Sequence, residues 1–548
     1  MQSMRLSSSS ARSGRRLMFV VPLAIAAFLM SVVPSMAAAS DPAGEVSSAA
    51  SMRKAFQHDL NAGTLGVAAR QSIKRGYLVP NQRRYDRQKA RATRRAAARD
   101  ALAAPLNAPA SGPLAPTRLR GWPGINNPNN TPPDETSAVG TTRYIELVNS
   151  NFAVYNKTSN APLATGTLNA LVGAPSGVDV FDPQIMWDGQ TNRFYYAADA
   201  VFSATDNDVA FGFSKTATPT TAADWCKYAV GFGSTFADYP KLGDSQHFAI
   251  FGTNLFNSSG NYVGSHIEGI SKPPAGSTCP AGTSFKAGGA VINGGFTPTP
   301  ASEIDTNPTG WAVARTSGLP GSKLQLYKVT RNGTTGNPVI GTTPTSVPVA
   351  SYTAPPSAPQ KGQLRRIDTL DARNTQAQAG VDPGRGGKFA IWTQHTVKGG
   401  AGAQVRWYEI NPATHALFQS GKVTSGALYE FNGAISPNRQ VMGATKSGGN
   451  AMVMNFNTSS ATTFPSIKMV SKIGAGAQSG QVAVFNGTKP LGGFDCFASN
   501  PCRWGDYAAA TPDPSAANRI WQVSQYGVGS ASLAGPATSR TWNFVAKP

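Results

Sequence analysis

From about residue 132 to the C terminus one local design recurs. A small polar residue, often Asp, opens a short strand; a turn follows; a strongly apolar strand comes next. FDPQIMWDGQTNRFYYAADA (181–200) shows it clearly, and DYPKLGDSQHFAIFGTNLF (238–256) repeats it. So do LDARNTQAQAGVDPGRGGKFAIWTQHT (370–396) and RWGDYAAATPDPSAANRIWQVSQY (503–526). Looser versions are PDETSAVGTTRYIELVNSNFAVYNK (133–157), EIDTNPTGWAVARTSGLPGSKLQLYKV (303–329) and LYEFNGAISPNRQVMGATKSGGNAMVMNF (428–456). Seven units at a spacing of roughly 59 residues, each with several short strands, predict an all-β chain folded as a β-propeller. Ring closure disposes of the sheet edges that each unit would otherwise expose. Seven blades is the expectation, six the alternative count, and a pair of stacked β-sandwiches the competing architecture. The last strand, RTWNFVAK (540–547), is expected to complete the blade begun near Tyr144.

Composition agrees with this reading. Charged residues are 14% of the chain, while 57 Gly and 40 Pro punctuate it, which excludes a coiled coil or a helical bundle. A hydrophobic content of 40% excludes a mostly disordered chain.

The N-terminal quarter has a different character. Arg5, Arg12, Arg15 and Arg16 precede the apolar run LMFVVPLAIAAFLMSVV and the small-residue stretch PSMAAAS, which predicts a signal peptide over residues 1–39. Residues 40–130 read as a basic low-complexity segment and linker, and 131–548 as the propeller domain. The formal charge of +21 is concentrated early: residues 1–120 carry +14 of it. RRYDRQKARATRRAAARD (83–100) favours helix but has no apolar stripe to bury, so it is expected to be a solvated tail, a propeptide or a tether. As a tether, residues 70–99 would engage anionic envelope polymers. Export and the absence of interleaved aromatics argue against nucleic acid. The protein is expected to be a monomer, secreted, periplasmic or at the cell surface. Its four cysteines then pair as Cys226–Cys279 and Cys496–Cys502, since no Cys-x-x-Cys or His cluster suggests a metal.

TPPDETSAVGTTRYIELVNSNFAVYNK, FDPQIMWDGQTNRFYYAA, FSKTATPTTAADWCKY, DYPKLG, TNLF, IDTLDARNTQAQ, IWTQHT, VRWYEI and RWGDYAAATPDP, taken in order, carry a resemblance. They resemble an uncharacterised family of secreted bacterial β-propellers related to the sialidase-like superfamily. The resemblance implies architecture and export, not a known activity. The Ser-x-Asp-x-Gly-x-x-Trp turns of sialidases are lacking. Glu135, Glu146, Glu268, Glu303, Glu409 and Glu430 have no obvious Tyr partner in a nucleophile motif. Typical sialidase activity is therefore not expected.

Equivalent strand starts of a propeller converge on one mouth of its channel. The repeat alignment puts Asp134, Asp182, Asp238, Asp371 and Asp506 there, with Tyr239, Arg373, Arg503 and Tyr507 adjacent. Crowded carboxylates cannot all ionise freely, so a protonated and an ionised member could serve as acid and base on a glycosidic bond. The candidate catalytic residues are Asp182, Asp238, Asp371 and Asp506. Asp134, Tyr239, Arg373, His395, Arg503 and Tyr507 are candidates for holding substrate, arginines suiting an acidic sugar. The competing reading has these Asp residues satisfying backbone N–H groups or locking blades together through Arg. His395 is a candidate base if it faces the channel and otherwise a hydrogen-bonded structural histidine. No cofactor is required; Ca²⁺ is a candidate at the mouth or at the Asp206/Asp208 turn. Trp187, Trp311, Trp392, Trp407, Trp504 and Trp521 are expected in the inter-blade core. The function expected is a glycan-directed role, binding or glycoside hydrolase-like cleavage of an extracellular or envelope polysaccharide. The alternative is a non-catalytic protein-interaction or scaffold propeller tethered by its basic segment.

Overall fold

The computed structural model describes residues 46–48, 78–100 and 115–548, apart from 127–128, 176, 204, 275–276, 443–444 and 498–499. The proposed signal peptide lies outside the described residues. The chain is a seven-bladed β-propeller. The innermost strands are Thr136–Val139, Asp179–Asp188, Phe236–Asp244, Gly295–Pro300, Asn374–Asp382, Tyr429–Met442 and Ala509–Pro512. Each touches the next and the last touches the first, so the ring is closed. Blades 1 to 7 follow that order.

The ring closes by a strand that sequence reading had placed in a linker. RTWNFVAK does not join the blade near Tyr144. Ser539–Lys547 pairs instead with Ile520–Gly527 on one side and with Thr117–Pro123 on the other, so blade 7 is built from both ends of the domain. TRLRGWP is hidden as a strand by its Gly and Pro, and only its position at an outer edge makes that Pro tolerable. Blade 4 also differs from expectation. Its inner strand is GFTPTP (295–300), and the segment opened by Glu303 runs onward to the second strand, Gly310–Thr316.

Aromatic and aliphatic layers weld neighbouring blades. Trp392 and Trp407 of blade 5 pack against Met452, Met454 and Phe456 of blade 6. Trp122 and Trp521 of blade 7 pack against Tyr144 and Tyr155 of blade 1. Trp392, Trp407, Trp504 and Trp521 are buried, whereas Trp187 and Trp311 are half-buried at the margins of their clusters. Both disulfides form as expected, Cys226–Cys279 and Cys496–Cys502. Among the described residues no helix is long and apolar enough to cross a membrane.

The basic segment is a helix, α1 (Gln82–Asp100), and not a solvated tail. Tyr85, Lys89 and Ala96 share one helical face and are buried on the propeller. The Tyr85 hydroxyl donates to Leu370 O at 3.3 Å. Lys89 Nζ donates to Leu370 O at 2.6 Å and to Thr369 Oγ1 at 3.0 Å, and pairs with Asp368 at 3.3 Å. Asp100 closes the far end with Arg366 at 2.6 Å and Tyr429. Polar anchors replace the apolar stripe, which is why periodicity did not reveal the docking. Arg83, Arg84, Arg87, Arg91, Arg94, Arg95 and Arg99 are all exposed, although Arg99 also donates to Ala401 O at 3.2 Å.

A candidate site at the strand-start mouth

The inner strands of blades 2 to 6 each carry a β-bulge near their first residues: Phe181/Gln184, Asp238/Lys241, Phe296/Thr299, Asn374/Ala377 and Phe431/Ala434. A bulge re-aims side chains at a sheet end. Left-handed backbone marks the same level: Asp134 at φ 44°, Asp182 at 50°, Tyr239 at 64°, Thr297 at 56° and Asn432 at 49°. Asp and Asn tolerate this region because their short polar side chains bond locally. This explains the small polar residue at the strand starts of blades 1, 2 and 6, while at blades 3 and 5 the left-handed positions are Tyr239, Leu370 and Ala372, beside Asp238 and Asp371. At blades 4 and 6 the position is Thr297 and Asn432, so the carboxylates occupy only part of the rim.

Asp134, Asp182, Asp238 and Asp506 come from blades 1, 2, 3 and 7, which are neighbours around the ring. Backbone and amide groups knit them together. Asp506 N donates to Asp134 Oδ1 at 2.6 Å, Asn149 Nδ2 donates to Asp134 Oδ2 at 2.7 Å, and Asp182 N donates to Asn149 Oδ1 at 2.8 Å. Arg503 holds both Asp506 oxygens at 3.1–3.2 Å. The Tyr239 hydroxyl donates to Asp506 O at 2.8 Å, and the Tyr507 hydroxyl to Pro183 O at 2.9 Å. The two tyrosine rings meet edge to face at 5.6 Å. Asp238 is half-buried and the other three carboxylates are buried.

Burial above all, and also mutual repulsion, pushes Asp134, Asp182, Asp238 and Asp506 up to about 7; Arg503 and Arg373 limit the rise at Asp134, Asp238 and Asp506, and Lys241 limits it at Asp182. At neutral pH the group shares protons. Two further members were missed in the sequence. Asp199 sits in the middle of the apolar strand Arg193–Ser203, is 1% exposed, and is pushed well above the carboxylate range by burial and then by Asp182 and Asp238. Lys241 lies beyond the bulge in DYPKLG. Its ammonium rests 3.3 Å from the centre of the Tyr507 ring and 4.1 Å from that of Tyr239, and burial holds it well below its usual range against the pull of the carboxylates. An acid inside FYYAADAVF, where every neighbour is apolar, was the available signal for Asp199.

Asp371 has a different environment. Its Oδ1 accepts from Arg373 Nε at 2.8 Å and its Oδ2 from Arg315 Nη2 at 2.9 Å, with every partner at most 1% exposed. Burial alone would raise it, but the two guanidinium groups outweigh burial and hold it well below the carboxylate range. Arg373 also stacks over Tyr239, 4.5 Å from its ring centre, linking this ion cluster to the ring. His395 is buried beside Tyr352, with Nδ1 3.2 Å from Ala372 O and Nε2 3.0 Å from the Tyr408 hydroxyl. Burial lowers it to about 3, so it is neutral, in the manner of a hydrogen-bonded structural histidine. The turn at Asp206 and Asp208 belongs to blade 2, where Asp208 lies across from Ala200, one residue from Asp199, and Asp206 across from Ser203.

The N-terminal arm reaches the same mouth. Leu78 O accepts from Arg373 Nη2 at 3.4 Å, and Val79 packs with Phe256 and Phe296. Between α1 and the rim lies a cleft of about 670 Å³ lined by Lys89, Arg94, Arg366 and Asp368.

No protein-family model matches the chain, and no curated protein is similar to it in sequence. Solved structures with a similar fold include an apocarotenoid oxygenase of Synechocystis, 11% identical, with a TM-score of 0.36 over 64% of this chain and 71% of that one. NanB sialidase from Streptococcus pneumoniae is 8% identical, with a TM-score of 0.35 over 74% and 82%. An exo-β-1,3-galactanase from Clostridium thermocellum is 10% identical, with a TM-score of 0.29 over 75% and 95%. With TM-scores below 0.5, these likenesses support no statement about this chain.

Proposed function

We propose that this chain is a glycan-directed propeller that binds or cleaves an extracellular polysaccharide at the strand-start mouth. One observation carries the reading: four Asp carboxylates from four adjacent blades share that mouth with Tyr239, Tyr507, Arg373 and Arg503. Carboxylates accept from sugar hydroxyls, and arginines suit acidic sugars. For cleavage, one carboxyl must give a proton to the leaving oxygen while another supports the attack. Asp238, the most exposed of the four, and Asp506 are the residues we assign to those roles. A binding-only role is favoured by Asp134 and Asp506 being already engaged by backbone, amide and guanidinium donors. The exposed arginines of α1 fit the proposed tether to anionic envelope polymers.

The test is reducing-end release by the purified full chain across neutral and acidic polysaccharides. Release that disappears in Asp238→Asn and Asp506→Asn supports hydrolysis. Retention of a polysaccharide without release, weakened in the same variants, supports binding. A folded protein that neither releases nor retains any of them refutes the glycan reading.

A further inference from the structure

We propose that Asp182, Asp199 and Asp238 hold a divalent cation at the strand-start mouth, with Ca²⁺ the ion their all-oxygen donor set fits best. Each offers a carboxylate oxygen, and these oxygens lie within 4.8 Å of one another. The three residues sit on three different strands of blades 2 and 3, so the fold itself holds the gap between them. Hard oxygen donors of this kind suit Ca²⁺, which accepts irregular geometry and completes its shell with backbone oxygens and water.

Two observations beyond the clustering point to a bound ion. Asp199 is 1% exposed, yet its Oδ1 has no hydrogen-bond partner; its other oxygen accepts only from Tyr239 N, at 3.2 Å. A buried acceptor left open is costly unless something fills it. The buried ammonium of the same mouth makes no hydrogen bond to it. Lys241 is also 1% exposed, and its Nζ makes no hydrogen bond, because the ammonium is held on the two tyrosine faces.

With the ion in place, the mouth would present a metal face to vicinal hydroxyls or a sugar carboxylate. That use rests on the glycan reading; the binding itself does not.

The experiment is calorimetric titration of CaCl₂ into the chelator-treated full chain, with no sugar present, alongside thermal melts in Ca²⁺ and in chelator. The expected result is one Ca²⁺ per chain, with a Kd on the order of 10⁻⁴ M or tighter and a melting temperature raised by about 1–3 °C at millimolar Ca²⁺. Asp199→Asn should weaken binding at least about tenfold while its melt in chelator matches the parent. Asp238→Asn, at the more exposed ligand, repeats the test should Asp199→Asn not fold. Absence of binding at millimolar Ca²⁺ overturns the proposal. So does Ca²⁺ affinity unchanged in both variants, as a site at the Asp206/Asp208 turn would give. Polysaccharide release that persists without Ca²⁺ binding leaves the proposed function standing and removes the ion from it.

Discussion

Replacing Asp371 by Asn separates a blade lock from a reacting carboxylate. The carboxylate accepts from Arg373 Nε at 2.8 Å and Arg315 Nη2 at 2.9 Å, with side-chain exposures of 1% or less. Asparagine keeps the shape and removes the charge, leaving two guanidinium groups buried against a neutral amide. At an effective dielectric of about 20, each close pair is worth roughly 4 kcal/mol of Coulomb attraction, and breaking a buried pair costs about 3–5 kcal/mol overall. For a propeller of this size the unfolding entropy makes each kcal/mol worth about 1 °C, so Asp371→Asn should melt about 3–5 °C below the parent. Arg315 joins blade 4 to Asp371 at the start of blade 5, and the clash should fall when Arg315 is also neutralised. Arg315→Met added to Asp371→Asn should therefore cost less than the two single changes summed, by at least about 1 kcal/mol. The assay is differential scanning calorimetry of the four proteins at pH 7. A single variant within 1 °C of the parent, or strictly additive losses, would refute the lock. Asp371 would then return to the list of residues free for chemistry.

Further outcomes follow from the same physics. His395 is held near 3 when folded but takes a proton near 6.5 when unfolded, so the unfolded state binds more protons in that window and stability is lost as pH falls below about 6.5. At pH 5 that single group costs about 2 kcal/mol, and His395→Gln should show a shallower fall in melting temperature between pH 7 and pH 5 than the parent. The Cys226–Cys279 bridge spans 53 residues and Cys496–Cys502 spans 6. Chain entropy gives about 4 and 2 kcal/mol respectively, so the paired Ser variants should rank in that order in urea unfolding. Lys89→Ala removes the buried anchor of α1, and trypsin should then cut within residues 83–99 at least about tenfold faster; an unchanged rate would mean the arm is held elsewhere.

What could be read from the sequence was what repeats. Asp134 and Asp182 were legible because left-handed backbone recurs at the strand starts and favours short polar side chains, and the other aspartates because they stand at equivalent places in the repeat. Blade 4 escaped because GFTPTP meets the same geometry with Thr297 and lacks an alternating pattern. Asp199 and Lys241 escaped because they are single charges inside strands whose other residues are read for their apolarity. α1 was legible as a helix, but its docking depends on Tyr85, Lys89 and Asp100 reaching groups, Leu370 O and Thr369 Oγ1 among them, that only the folded ring presents. Its pairing with Asp368 joins residues far apart in the chain, a relation no local pattern encodes.

The outer strand Thr117–Pro123, paired with Ser539–Lys547, has a consequence for how the protein matures. Its partners are separated by more than 400 residues, and joining ends that far apart costs about 5 kcal/mol of chain entropy. Blade 7 therefore cannot be completed until the last strand has left the ribosome, so the ring stays open for most of the chain's synthesis. Once closed, the arrangement is tolerant from one side only. Proteolytic trimming just upstream of Thr117 removes α1 and the Val46–Ser48 edge strand of blade 2 but leaves blade 7 whole, whereas a cut just past Pro123 releases the strand that seals the sheet. The boundary between losing the N-terminal arm and opening the ring is thus set within a few residues.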